Sequence, residues 1–95
     1  MFVGVCKIVL FIPGCDSLKG KRHVLRSIKD RVAAKFNVAI AETGDQDLWQ
    51  RAEIGVCAVG NDHSRVNSVL DSVTGFIERM MVARIVDRQF EIITF

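Results

Sequence analysis

Apolar residues dominate the chain from Phe2 to Ile12 until Pro13-Gly14 interrupts them, the signature of a strand closed by a turn. Alternation puts Phe2, Gly4, Cys6, Ile8, Leu10 and Ile12 on one face and Val3, Val5, Lys7, Val9 and Phe11 on the other. Lys7 marks the second set as the outer face, because an unpaired ammonium is costly to bury. That outer face is otherwise apolar, so the strand is expected to be central in its sheet and covered on its outer side.

Asp16 or Ser17 can cap a helix that the spacing predicts to about Phe36. Leu18, Leu25, Ile28, Val32 and Phe36 fall on one face, and Lys19, Arg22, Arg26 and Lys29 form a second stripe beside it. Lys21 lies in line with Leu25 and Ile28 instead. It must either meet a carboxylate at the sheet end or reach past it toward a ligand. Val38 to Thr43 reads as a short strand, and the loop Gly44 to Gln50 returns to a strand over Arg51–Gly60, an antiparallel hairpin.

Asn61-Asp62 caps a second helix over about His63–Met81, with Val66, Leu70, Val73, Ile77 and Met80 as its apolar face. Gly75 inside it is expected to mark close backbone approach to a neighbour. In the last strand, Ala83–Phe95, Asp87, Gln89 and Glu91 face outward, leaving Val86, Phe90, Ile92 and Arg88 on the inner side. Arg88 then needs a carboxylate partner or a bulge that turns it out.

The order strand, helix, strand, strand, helix, strand predicts an α+β, ferredoxin-like βαββαβ fold. The single domain spans residues 1–95, with both helices on one face of a four-stranded antiparallel sheet. The first and third strands are central, and the other face is open. At 49% apolar residues in 95, some apolar surface should survive folding of the monomer. That favours a homo-oligomer, most simply a dimer, through the outer sheet face.

Charge singles out the first helix. Ser17 to Asn37 carries seven Lys/Arg against Asp30 alone, +6, which leaves −4 for the rest of a chain whose net is +2. Free amides at the helix start, with Ser17, Lys19, Lys21, Arg22, Arg26 and Lys29, make a candidate site for an anion or an RNA backbone; a merely solvated basic face is the competing reading. A phosphate-loop motif fails, because five residues separate Gly14 from Gly20 and Arg22 follows Lys21. Glu42 and Trp49 are candidates for a supporting or loop site, with Trp49 more naturally a packing plug than a stacking surface.

Cys6, Cys15 and Cys57 share no disulfide or zinc spacing, and His23 and His63 have no ligand or triad partners in sequence. No catalytic constellation, metal site or cofactor site is expected. The third strand lacks the aromatics of an RNA-recognition motif. Phe2 to Ile12 is too short to span a bilayer and lacks a basic leader, which points to a cytoplasmic protein without membrane association.

Ser17-Leu18-Lys19-Gly20-Lys21-Arg22, Phe36-Asn37-Val38 with Ala41-Glu42, and Asp47-Leu48-Trp49-Gln50-Arg51-Ala52 together resemble the YlxP-like family of small bacterial proteins of unknown function. The resemblance covers essentially the whole chain and implies the same ferredoxin-like fold. It also implies a gene setting that often adjoins translation and ribosome-maturation genes. Two readings follow: a non-enzymatic RNA- or ribosome-associated module, or a self-associating scaffold or sensor of a small anionic ligand. Cys15 departs from the family pattern, which weakens any thiol chemistry there.

Overall fold

The computed structural model describes residues 1–95. Strand β1 (Phe2–Phe11) leads to helix α1 (Leu18–Lys35), strands β2 (Ala39–Gly44) and β3 (Arg51–Gly60), helix α2 (His63–Met80) and strand β4 (Arg84–Thr94). The strands form one antiparallel sheet in the order β2-β3-β1-β4. The chain has the ferredoxin-like architecture, with the first and third strands central. These are also the strands whose inward positions are most uniformly aliphatic.

Ile8 and Leu10 of β1, Ile54 and Val56 of β3, Leu25 and Ile28 of α1, and Leu70 and Ile77 of α2 are buried in a single core, each contributing about 1.5–3 kcal/mol on transfer from water. Both helices therefore cover the same sheet face. Ser17 is the N-cap of α1, its hydroxyl accepting from the Gly20 amide at 3.0 Å. Asp62 does the same for α2 with the amides of Ser64 and Arg65. Leu18, placed by its spacing on the buried face of α1, is instead exposed in the first turn.

Close approach of α2 to a neighbour is admitted by Gly4, not by Gly75. A Cβ on Gly4 would fall 2.6 Å from Val66 Cγ1 and 2.9 Å from Leu70 Cδ1, whereas at Gly75 it would meet only the flexible tip of Arg79 at 3.2 Å. α2 crosses the sheet over Gly4, and nothing crosses Gly75.

Strand β4 carries a bulge. Val9 pairs with Asp87 but Leu10 pairs with Ile85, so Val86 is the extra residue. The bulge turns Val86 out to solvent and puts Ile85 in the place expected for it. Arg88 remains on the helix side, where its guanidinium donates to Asp71 of α2 at 2.9 Å. Both anticipated solutions are used, at different residues.

Strand register orders the opposite, uncovered face into rows. Val59, Val3 and Ile93 lie side by side, then Cys57, Val5 and Glu91, then Gly55, Lys7 and Gln89, then Glu53, Val9 and Asp87, and last Arg51, Phe11 and Arg84. The face is apolar at one end, acidic and then basic at the other. Val9 is nonetheless buried, and the Arg84 guanidinium lies 5.2 Å from the Phe11 ring centroid, so the charged end covers its own apolar residues.

Candidate functional site

Of the candidate residues, Lys21, Arg22 and Glu42 meet where the N-terminal turns of α1 approach the β2–β3 hairpin. Lys21 lies on the inward stripe of α1, so its side chain runs beneath the helix toward the end of β2. It is 0% exposed, its ammonium donating to the Asp45 carbonyl at 2.5 Å and lying 3.2 Å from Glu42 Oε2. The approach to Oε2 is off the hydrogen-bonding direction, leaving that oxygen without a hydrogen bond, so the contact is one of charge. Of the two roles open to Lys21, the structure takes the carboxylate.

Glu42 is itself buried and holds a second cation. Arg22 Nη1 donates to Glu42 Oε1 at 2.7 Å, while 51% of the Arg22 side chain stays in water. One carboxylate is thus shared by two cations, so the cluster keeps a net positive charge and part of the outer guanidinium stays available. Removing two charges from water is expensive unless they are paired, which explains a glutamate at an otherwise exposed edge strand.

The remaining candidates divide by position. Ser17 is committed to capping, so its hydroxyl serves the helix and not a ligand. Lys19 and Arg26 are exposed and Lys29 half-exposed, and none meets a carboxylate. With Arg22 they form the accessible basic edge of α1. Further along the helix, Arg31 and Lys35 lie 5.7 and 5.0 Å from the Phe76 ring centroid, a packing role that snorkelling cations commonly take.

Trp49 does not plug the loop. It is 52% exposed and its neighbour Leu48 is 47% exposed. The loop is nevertheless held at its base: Leu48 N donates to Asp45 O at 3.1 Å, Ile12 N to Gln50 O at 2.8 Å, and Arg51 Nε to Asp45 Oδ2 at 3.0 Å. Asp45 itself sits at φ 59°, a left-handed conformation that Asp tolerates better than most residues. Asp45 is the hub of this corner, a role its place in the loop Gly44 to Gln50 does not reveal from sequence.

The thiols offer no nucleophile with a base. Cys6 is buried, and burial raises its pKa above the ordinary value despite the opposing Arg88 charge. Cys15 donates weakly to the Ser17 carbonyl, and Cys57 lies half-buried on the outer sheet face. No cluster of three or more His, Cys, Asp or Glu side chains could hold a metal ion, and no helix is long and apolar enough to cross a membrane.

Residues 3–90 match the family model described as "Protein of unknown function (DUF503)". The chain belongs to this family. It is also 42% identical over 73 residues to the uncharacterized protein YlxP of Bacillus subtilis (strain 168), a match covering 77% of each chain. For this DUF503 chain, as for that relative, the function is unknown.

Proposed function

We propose that this protein is a non-enzymatic binding module that holds an RNA phosphate backbone along the exposed edge of α1. The observation that carries the reading is the set Lys19, Arg22, Arg26 and Lys29. These residues recur about once per helical turn, and three of the four have no carboxylate partner. At 1.5 Å per residue they span about 15 Å, room for two or three phosphates. Cations so placed contact backbone without reading sequence.

Equilibrium titration with an RNA oligonucleotide tests it. The logarithm of the association constant should fall with that of the salt concentration with a slope of about −2, as expected for about three neutralised phosphates on a single strand. Lys19→Glu with Arg26→Glu and Lys29→Glu should weaken binding at least tenfold. Salt-independent affinity, or affinity unchanged in that triple variant, would sink the reading.

A second reading rests on the uncovered sheet face, whose apolar end carries Val3, Val5, Val59 and Ile93, the last three well exposed. Strands of ten, ten and eleven residues with one of six at the edge give a face of about 600 Å² in projection, approaching the roughly 800 Å² per partner of a stable dimer. A second copy is the occupant this face suits. Full overlap with rows aligned would set Glu53 and Asp87 of one copy against those of the other, so the copies would overlap mainly at their apolar ends. Sedimentation at micromolar concentration should give a dimer that Val59→Glu with Ile93→Glu dissociates; a wild-type monomer would exclude it.

A further inference from the structure

Resting on the reading of α1 as a phosphate-binding edge, we infer that the β2–β3 loop is a stacking platform for an unpaired nucleobase. The preferred ligand is then single-stranded or looped RNA rather than a duplex. The observation is Trp49, with half its surface in water although the loop carrying it is fixed by backbone and side-chain contacts at Asp45 and Gln50. The residues Asp47 to Arg51 line a shallow depression of about 470 Å³ there, large enough for a base laid against the indole.

Placement supplies the second part of the argument. Lys21 binds the carbonyl of Asp45 at the start of this loop, and Arg22 binds Glu42 just before it. The cations of the first turns of α1 and the exposed indole thus belong to one end of the molecule, joined through the buried Lys21. Asp47 is exposed beside Trp49 and repels a phosphate at that spot. The division is therefore backbone on α1 and base on the loop. The sheet face, which serves this purpose in other folds with this topology, offers no free aromatic on its central strands, because Phe11 is partly buried near Arg84. Stacking on an aromatic side chain is tolerant of sequence, since every base has a π-face.

Trp49 is the only tryptophan, so its emission reports on this loop alone. A single-stranded RNA ten-mer and the same strand annealed to its complement are titrated against wild type, Trp49→Ala and Lys19→Glu/Arg26→Glu. Emission gives the loop response, and anisotropy of labelled RNA gives the affinity. The single strand should quench the emission and bind about tenfold more tightly than the duplex. Trp49→Ala should erase that preference while keeping salt-dependent binding of both, and Trp49→Phe should restore much of it. Salt-dependent binding with unchanged emission and no effect of Trp49→Ala would overturn the stacking platform but leave the α1 reading standing. Quenching that survives charge reversal on α1 would keep the platform and remove the backbone contacts proposed with it. No RNA binding by wild type would end both.

Discussion

The Lys21 ammonium lies 3.2 Å from the Glu42 carboxylate, with no part of the lysine side chain reaching solvent. This contact bolts the inward face of α1 to the edge strand β2 at the base of the β2–β3 loop. It changes how the basic helix can be probed, because charge reversal at Lys21 would test folding rather than ligand binding.

Removing one member of a buried pair leaves the other charged and unpaired. Lys21→Ala is expected to cost about 3–5 kcal/mol, whereas Lys21→Met with Glu42→Leu, an apolar replacement of similar volume, should come close to neutral. Urea unfolding of both variants decides it. A double variant as unstable as the single one would mean that the pair contributes more than mutual compensation of two desolvated charges.

Gly75, expected from the sequence to be closely approached, and Gly4, which α2 does approach closely, give opposite signs. Gly4→Ala would press a methyl into Val66 and Leu70 and is expected to destabilise by about 1–3 kcal/mol. Gly75→Ala meets only a movable Arg79 side chain and should stabilise by about 0.5–1 kcal/mol through helix propensity. Thermal melts showing Gly75→Ala to be the more damaging change would contradict the packing described for α2.

The bulge makes a comparably sharp contrast between neighbours. Val86→Asp, on the outward residue, should shift stability by about 0.5 kcal/mol or less. Ile85→Asp buries an unpaired carboxylate beside the core and should cost several times as much. Equal losses at both positions would place the register shift elsewhere.

Cys6 gives a pH dependence with a definite sign. Its thiol is held protonated by burial, with a folded pKa above the ordinary value of 9.0, so above that ordinary value the unfolded chain releases a proton that the folded chain retains. Stability contributed by this group is present below the ordinary thiol pKa and is lost as pH rises through the folded pKa. Denaturation midpoints should fall more steeply with alkaline pH for wild type than for Cys6→Ala, and alkylation of the native protein should reach Cys15 and Cys57 before Cys6. Parallel pH profiles would show that Cys6 contributes nothing to the linkage.

Most of the fold was legible because its elements carry clean periods. The α2 stripe from Val66 to Ile77 allows one buried face, Lys7 marks the outer face of a β1 that is apolar on both sides, and the turn residues between them limit the topology. The site was legible only as a region. Lys19, Arg22, Arg26 and Lys29 could be grouped by helical spacing, but Trp49 could not be assigned, since an indole in a polar loop is compatible with burial or exposure until the loop's path is known.

The sequence by itself determined the order of elements, the central position of β1 and β3, the places where both helices begin and the concentration of positive charge on α1, because propensity, periodicity and charge are local properties. Only the tertiary structure decided that Lys21 is spent on Glu42 and Asp45, that Val86 and not Arg88 is turned outward, and that Trp49 stands in solvent. Each of these depends on which residue from a distant strand arrives opposite it, and a one-residue shift in β4 pairing, invisible in the pattern of a single strand, is enough to exchange inside for outside.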